Sequence, residues 1–284
     1  MEGVTTAYSG GGDPGRSIEL LWGLRDAPKR GPKPRFSVAQ ITRAAIDLAD
    51  AEGLAALSMR RVAERLGITA MSLYTYIPGK AELLDLMIDT VCGEIERSRP
   101  ASDHWRDRLE AIAHDNRALY ERHPWLATVS TARPPLGPGV IAKYDYELRA
   151  LEGLGLDDVE MDAALTFLLD FVQSCARAAA DVRAARHASR TGDGEWWAAY
   201  GPLLAKVVDP DAYPVATRVG AAAGLAHGAA YDPDHAYRFG LQRVLDGLAA
   251  LIESRRAVSR SSSPRRPEPP PRPAAPPRSG DAPA

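Results

Sequence analysis

Residues 37–91 read SVAQITRAAIDLADAEGLAALSMRRVAERLGITAMSLYTYIPGKAELLDLMIDTV, and this stretch decides the fold. It opens with the spacing of a capping box, with Ser37 at the N-cap and Gln40 three residues on. Apolar side chains then follow at intervals of three and four, as on one face of a helix. Gly53 is suited to end this helix, because glycine is the usual residue at a helix C-terminus. The pattern predicts an amphipathic helix between Ser37 and Gly53.

A second helix start follows at Ser58, and Gly67 breaks this short helix. Thr69 can cap a third short helix, which the Pro-Gly pair after Ile77 ends. Two short helices joined by a tight glycine turn form a helix-turn-helix, whose second helix fits the major groove of DNA. The spacing by itself equally permits an ordinary αα-hairpin, so it leaves both interpretations open.

Helical patterning continues along the rest of the 284-residue chain, beginning with a longer helix from Lys80. Ala, Leu, Glu and Arg dominate, and no run alternates between polar and apolar residues as a strand would. Hydrophobic residues make up 45% and charged residues 25%, the balance of a soluble globular protein. No apolar run is long enough to cross a membrane, and no secretory signal is visible. Cys92 and Cys175 are too isolated for a disulfide framework or a zinc site. The sequence predicts an all-α protein of the cytoplasm.

The net charge of −2 conceals an uneven distribution along the chain. Residues 29–80 carry nine basic and four acidic side chains, whereas residues 81–253 carry 17 basic and 27 acidic ones. A basic segment joined to an acidic body is typical of a nucleic-acid-binding module attached to a second module. Charge blocks of this size also arise by chance, which is the alternative interpretation.

The two ends of the chain are predicted to lie outside the core. Residues 1–35 are interpreted as a flexible N-terminal segment, because the segment begins with a stretch rich in Gly, Ser and Thr. It closes with the basic arm KRGPKPR at 29–35, which either follows a minor groove or serves as a solvated linker. Residues 257–284 are dominated by Pro, Ser and Arg, and they have too little apolar surface to offset their ordering entropy. A disordered tail is therefore predicted there.

The decisive stretch resembles the N-terminal DNA-binding domain of the TetR (tetracycline-repressor-like) family of bacterial transcriptional regulators. The resemblance covers residues 36–92 and rests on EGL, RRVAERLGI, LY and GKAELL, in that order. A shorter segment, AYRFGLQRVLDGLAALI at 236–252, resembles the last core helix of the tetracycline-repressor type of C-terminal domain. The resemblance implies a three-helix DNA-binding domain containing the helix-turn-helix at 36–96 and a helical ligand-binding and dimerisation domain at 97–256. It further implies a repressor that binds a palindromic DNA operator as a homodimer and is released by a small-molecule effector.

The resemblance also assigns a DNA-binding face, residue by residue. Arg60 matches a position that reaches a base edge, where a guanidinium can make a bidentate contact with guanine. Tyr74 matches a tyrosine that contacts phosphate or a thymine methyl group, and Lys80 matches a lysine that anchors phosphate at a helix start. The other matched positions in and after the recognition helix are Ala70, Met71, Ser72, Thr75 and Tyr76. In the simpler alternative, Tyr74 is buried and Arg60 and Lys80 are ordinary solvated side chains.

Two segments of the C-terminal region carry apolar stripes at alternating spacings of three and four. The stripes consist of Leu165, Leu168, Val172, Cys175, Ala179 and Val182, and of Tyr237, Leu241, Val244, Leu248 and Leu251. Such stripes pack at the shallow angles of four-helix bundles. In the resembled family two helices from each subunit form the dimer bundle, so the resemblance implies that these stripes meet across a dimer. The alternative is a seam within one chain.

An effector pocket is expected in the same region. Its candidate lining residues are Trp125, Phe167, Phe171, Gln173 and Arg177, of which the last two would orient a mostly apolar ligand. The alternative for each aromatic residue is a place in the core. The resembled repressors have a magnesium-ligating histidine at a position where this chain has Val129. Valine cannot bind a metal, so the predicted effector is metal-independent, and neither a metal site nor a cofactor is expected.

An enzyme and a protein-interaction scaffold are the alternative functions for such a helical chain. The six histidines are scattered, and no nucleophile-elbow, Walker, Rossmann or zinc-protease motif occurs. His227 and His235 flank a Gly/Asp turn and could touch a ligand. The sequence predicts that the chain is not an enzyme, and competition of DNA binding with a polyanion at low salt would separate a regulator from a scaffold.

Overall fold

The computed structural model describes residues 9–24, 35–130 and 132–262, with side chains given as far as residue 257. Within these ranges all regular secondary structure is helical, so the predicted all-α fold class is confirmed. The helices of the described residues are α1 (Pro14–Leu21), α2 (Val38–Glu52), α3 (Met59–Leu66), α4 (Ala70–Tyr74), α5 (Lys80–Gly93), α6 (Trp105–Arg122), α7 (Pro138–Leu148), α8 (Asp158–Ser189), α9 (Asp193–Val207), α10 (Pro214–His227) and α11 (Pro233–Ser262). Short 3-10 helices at Leu54–Ala56 and Pro124–Thr128 precede α3 and follow α6. We call α2–α5 the reader and α6–α11 the body.

The predicted helix-turn-helix is formed by α3 and α4. Ser58 and Thr69 cap the two helices, each accepting a hydrogen bond from a backbone amide on its hydroxyl oxygen. Gly67 ends α3 in the left-handed conformation, with a φ of 65°. Helix α4 ends at Tyr74, short of the predicted end at Ile77, although the Ile77 amide still bonds to a carbonyl of the helix at 3.1 Å. One further turn of chain therefore follows α4.

The reader encloses its own apolar core. Helix α2 begins with the predicted capping box, in which Ser37 and Gln40 each accept a hydrogen bond from the backbone of the other. Leu73 and Ile77 are fully buried, which confirms their predicted place in the core and not on the DNA side. Leu73 and Ile77 thus hold α4 and the turn after it against the other helices of the reader.

The core of the reader continues into the body through the short helix after α6. Trp125 and Val129 belong to the same cluster of buried side chains as the reader helices. Trp125 Nε1 donates to Asp50 Oδ1 of α2 at 2.7 Å, and His123 Nδ1 lies 2.8 Å from the same oxygen. The two modules therefore share a buried, hydrogen-bonded joint.

The N-terminal segment differs from its predicted flexibility. Residues 1–35 are expected to be flexible, but residues 9–24 form α1 with its flanks and pack against α5. An aspartate N-cap and a proline at the first helical position start α1, and Leu20 and Leu21 at its end are buried in the reader core. The prediction is wrong there because the glycine-rich composition of the segment conceals this short apolar pair. The rest of the segment, with all of the basic arm except Arg35, lies outside the described residues.

A second core joins α6, α8 and α11 of the body. Leu165 and Leu168 of α8 and Tyr237 and Leu248 of α11 are all buried within one chain and belong to one cluster. The two apolar stripes therefore meet each other in the same protomer, and the prediction that they form the dimer seam is wrong. The spacing of apolar residues predicts that one face of a helix is buried. It does not predict whether the residues that bury this face belong to the same chain or to a second one.

Helices α9 and α10 carry much exposed apolar surface. They meet where the indole of Trp197 lies against Gly224, so closely that a Cβ at Gly224 would be 2.5 Å from the ring. The large apolar side chains exposed on these helices and their connection are Trp196, Tyr200, Leu203, Leu204, Val207, Tyr213, Val215, Val219 and Leu225.

Helix α11 extends beyond the core helix that the sequence predicts at 236–252. It continues to Ser262, so the predicted disordered tail does not begin at residue 257, and the residues after 262 lie outside the described part. An ion pair between Arg255 and Glu160 near the start of α8 supports this extension. None of the helices in the described ranges has the length and hydropathy that a membrane span requires.

Candidate nucleic-acid interface and effector cavity

Two neighbouring arginines on α3 have different surroundings. Arg61 Nη2 donates to both carboxylate oxygens of Glu52, at 2.8 and 2.7 Å, and so joins α3 to the end of α2. The Arg60 side chain is 82% exposed, and its Nε donates to Glu64 Oε1 one turn on at 2.8 Å. An exposed pair at this spacing contributes little free energy, so a DNA base can displace Glu64 from the guanidinium. Arg60 is thus the arginine that can reach outward, whereas Arg61 holds the reader together.

The α4 region exposes most of the residues assigned to the DNA-binding face. Met71, Ser72, Tyr74 and Thr75 are exposed, whereas Ala70 and Tyr76 are half-buried against the reader core. Because the side chain of Tyr74 is 47% exposed, the alternative of a buried tyrosine does not hold. The Thr75 hydroxyl donates to the Ser72 carbonyl at 2.6 Å, which fixes its position at the end of the helix. The face that α4 offers is small and carries no charge.

Lys80 stands at the first position of α5 and is exposed. The N-cap before it, Gly79, provides no side-chain hydrogen bond, so the first amides of α5 are available to an anion. The carboxylate in this first turn, Glu82, is buried and accepts a hydrogen bond from the Asp13 amide at 3.3 Å. A phosphate at this helix start would therefore meet a lysine and backbone amides, with the Glu82 carboxylate also close to Gly79.

Two further carboxylates of α5 are also directed inward. Asp85 accepts a hydrogen bond from the Gly10 amide at 2.9 Å, and Asp89 accepts one from the Val140 amide at 2.9 Å. Burial raises the pKa of both carboxyl groups above the ordinary value, and these hydrogen bonds oppose the shift. The acidic residues of α5 are therefore buried, and each accepts a hydrogen bond from a backbone amide of another segment.

A cavity lies between α6, α8 and the beginning of α11. Its inner part has a volume of only about 10 Å³ and is lined by Arg117, Tyr120, Cys175, Ala179 and Tyr237, among others. It opens past Arg117 and Ala179 into a mouth of about 250 Å³, where Arg183, Arg186, Asp193, His227 and Tyr231 stand. The mouth is lined mostly by charged and polar side chains, so a ligand there would meet polar groups before the aromatic floor.

Tyr237 forms the aromatic floor of this cavity. The ring of Phe171 is stacked on it, with the ring centroids 6.0 Å apart and an angle of 17° between the planes. The Arg117 guanidinium lies 4.5 Å from the centroid of the Tyr237 ring, and the hydroxyl lies 3.2 Å from His114 Nδ1. Burial raises the pKa of Tyr237 and of Cys175, so both side chains are neutral at pH 7. The floor is therefore neutral and aromatic, with the Arg117 guanidinium lying over the Tyr237 ring.

The structure does not bring the five predicted effector-pocket residues together. Phe171 adjoins the cavity through Tyr237, but Trp125 is buried in the joint between reader and body. Gln173 Nε2 donates to the carbonyls of Ala127 and Val129, at 3.4 and 3.3 Å, and so ties α8 to the same joint. Phe167 and Arg177 are exposed on α8.

Sequence reasoning missed Arg117, Tyr120 and Tyr237 as cavity residues. Arg117 and Tyr120 lie one turn apart on α6, but Tyr237 comes from α11, and no local spacing shows that the two helices meet. The side chain of Val129 is buried in the core that joins reader and body. Among the described residues, no three His, Cys, Asp or Glu side chains are close enough to hold a metal ion.

Similarity to known proteins supports the division into reader and body. Family profiles match residues 99–252, described as a tetracyclin repressor-like C-terminal domain, and residues 41–87, described as bacterial regulatory proteins of the tetR family. The HTH-type transcriptional repressor DrrR1 of Streptomyces coeruleorubidus is 43% identical over 257 residues, which cover 90% of this chain and 93% of that protein.

Solved structures of ActR from Streptomyces coelicolor are similar to this chain at 27% identity. The apo form has a TM-score of 0.63 over 78% of this chain and 99% of that chain. The complex with actinorhodin has a TM-score of 0.64 over 76% of this chain and 96% of that chain. With the profile matches and the helix-turn-helix geometry, these similarities exclude an enzyme. The chain belongs to the TetR family of bacterial regulatory proteins and is a DNA-binding transcriptional regulator.

Proposed function

We propose that the chain represses transcription in the cytoplasm by binding a palindromic operator as a homodimer, and that a small aromatic effector releases it. The observation that carries the proposal is the combination of an exposed recognition helix with a separate, aromatic-floored cavity in one chain. Arg60 would read a base edge, the exposed residues around Tyr74 would contact the groove, and Lys80 would anchor a phosphate. Half-buried Ala70 and Tyr76 would support that face from behind.

A homodimer is proposed because one reader contacts only a short stretch of DNA. One short recognition helix covers only a few base pairs, and a two-fold dimer doubles the readout on a palindromic site. The buried stripes of α8 and α11 are used within the chain, so the dimer needs the outer faces of these two helices. The two helices are in contact with each other, and their exposed residues include Phe167 and Thr166 on α8 and Gly247 and Ala250 on α11.

The effector would occupy the cavity above Tyr237. A planar aromatic ligand would stack on Tyr237 by displacing the Arg117 guanidinium from the ring, and a polar group of the ligand would meet Arg183 at the mouth. The structural neighbour ActR is solved in complex with actinorhodin, and we extend small-molecule binding to this chain. No metal is needed in this proposal, because Val129 cannot act as a ligand. Gln173 and Trp125 would act at the joint and not as ligand contacts.

A physical route connects the cavity to the reader. Arg117 lies on α6, and the same helix ends next to His123, which is hydrogen-bonded to Asp50 of α2. A ligand that displaces Arg117 from its ion pairs with Glu121 and Asp234 would act directly on α6. Because the end of α6 is packed into the reader core, a shift of this helix would move the reader.

The test first selects duplexes from a random DNA library with the full-length chain. Actinorhodin and other planar polycyclic aromatic compounds are then titrated against the selected complex, with and without EDTA. We expect release by at least one such compound, unaffected by EDTA, and no release by magnesium–tetracycline. Release that requires magnesium, or release by magnesium–tetracycline itself, would contradict the proposal.

A cavity-filling variant localises the effector. Ala179→Trp places an indole in the cavity, so operator binding should remain while the effector concentration for half-release rises at least about tenfold. Ala185→Trp, at an exposed position on the same helix, is the matched control and should respond like the wild type. Equal responses of the two variants would place the effector elsewhere.

A further inference from the structure

A segment before the reader lies along α5. We call residues 9–24 the N-terminal strap. The Gly10 amide of the strap donates to Asp85 Oδ1 at 2.9 Å, and the Asp13 amide donates to Glu82 Oε1 at 3.3 Å. The two leucines at the end of α1 are buried in the reader core. The middle of the strap therefore moves with α5.

The two ends of the strap contact the body, at the loop that precedes α7. Ser9 Oγ lies 2.8 Å from the Arg133 carbonyl oxygen and 3.1 Å from that of Ser130, and its one proton is shared between these two acceptors. At the other end, Trp22 Nε1 donates to the Leu136 carbonyl at 2.9 Å. Ser9 is only 3% exposed, so its hydroxyl is shielded from water while the contact is closed, whereas Trp22 and Leu136 at the other end are exposed.

The strap thus crosses the joint between reader and body. Helix α5 is bonded directly to the start of α7 through Asp89 and the Val140 amide, and the strap adds a second set of hydrogen bonds between α5 and the loop before α7. Helix α5 also begins at Lys80, directly after the chain that follows the recognition helix. A change in the angle of α5 therefore changes the position of α4 relative to the body.

We propose that Ser9 and Trp22 are positioning residues that, through the strap, set the angle of the reader and hence the operator spacing that the dimer accepts. This inference rests on the proposed function, a homodimer on a palindromic operator. A firmly held joint keeps the two recognition helices at one separation, whereas a looser joint admits several separations.

The experiment uses the full-length chain and the double variant Ser9→Ala, Trp22→Phe. The first substitution removes a hydroxyl donor, and the second removes the indole N–H but keeps an aromatic ring. Trp196→Phe, an exposed tryptophan on α9, is the matched control. Each protein is titrated with duplexes whose half-sites, selected by the wild type, are separated by spacers that differ by one base pair at a time. Thermal melting verifies the fold, and Trp22→Phe alone repeats the test if the double variant melts early.

We expect the wild type and Trp196→Phe to favour one spacer length and the double variant to reduce this preference about threefold to tenfold, the loss of one or two net hydrogen bonds. An unchanged spacer profile would overturn the inference. Uniform weakening at every spacer would overturn it too, because affinity would then have changed without any change in geometry. A wild-type chain that selects no duplex at all would overturn the proposed function and this inference with it.

Discussion

At the scale of single residues, the role of a charged side chain depends on its exposure and its hydrogen-bond partners more than on its residue type. Arg60 and Arg61 are neighbours in sequence, but Arg61 is fixed by two hydrogen bonds to Glu52 and Arg60 extends into solvent with one local partner. Likewise, Lys80 is exposed at the start of α5, whereas the carboxylates of the same helix are buried. Assigning a role to a charged side chain therefore requires its partners as well as its position.

The first residue-scale prediction separates base reading from phosphate anchoring. Arg60→Ala should relax the preference at one base pair per half-site by roughly 1–3 kcal/mol, because it removes a base contact. Lys80→Ala should weaken binding about equally on all sequences and flatten the salt dependence by about one ion, because phosphate carries no base information. Binding of both variants to a randomised operator library is the measurement.

Arg61→Ala is the matched control for this prediction. It should lower the stability of the reader by removing the link to Glu52, and it should leave the pattern of base preference unchanged. If Arg60→Ala and Lys80→Ala behaved alike across the library, the assignment of Arg60 to base reading would be wrong.

At the scale of elements, α5 is the helix on which the other parts converge. The N-terminal strap binds Asp85 on one side, and the beginning of α7 is bonded to Asp89 on the other. Gly137 and Gly139 permit this close approach, since a Cβ at either position would meet Asp89. The approach of α7 to α5 is thus set by the absence of side chains at two glycines.

The element-scale prediction concerns Gly139→Ala. A Cβ at this position would be 2.0 Å from the Asp89 carbonyl oxygen, and backbone cannot yield as a flexible side chain does. We expect a loss of at least about 1–3 kcal/mol in the free energy of unfolding, as for an overpacked core. Urea unfolding of the variant and the wild type measures the difference.

Gly220→Ala provides the control within a helix. No atom lies within 4 Å of a Cβ at Gly220, so alanine there should be neutral or stabilising by up to about 1 kcal/mol. A Gly139→Ala protein as stable as the wild type would show that α5 and α7 do not pack as closely as described.

At the scale of the whole molecule, the distribution of charge concerns DNA binding, and the distribution of apolar surface concerns the core and the proposed dimer. The basic part of the sequence includes the reader, and the acidic remainder forms most of the body, so the field of the molecule would orient the reader toward DNA. The apolar stripes of α8 and α11 close the core of one protomer, which leaves the outer faces of these helices for a second copy.

The prediction at this scale is a test of the dimer. Phe167→Asp together with Ala250→Asp places charges on the outer faces of α8 and α11 and should give folded monomers that bind operator poorly. Leu168→Asp, by contrast, buries a charge in the core and should destabilise the chain itself. Equilibrium sedimentation and circular dichroism distinguish the two results. A wild-type chain that sediments as a monomer at micromolar concentration would contradict the homodimer.

The sequence by itself determined the fold class, the helix-turn-helix and the caps that delimit it. These features depend on interactions over three or four residues, such as the capping box at Ser37 or the left-handed turn at Gly67, so they are readable locally. The exposed positions around Tyr74 followed from the family resemblance and from the same periodicity that placed Leu73 and Ile77 in the core.

Only the tertiary structure decided what covers each apolar face and which distant residues meet. The stripes of α8 and α11 have the same pattern whether their partner is in the same chain or in a second copy, because burial depends on an apolar cover and not on its origin. The strap and the cavity at Tyr237 arise from residues far apart in the chain, and no short spacing encodes their contact. Capping residues and apolar spacing within a few residues determined the helices. Packing between residues far apart in the chain determined which helices contact each other.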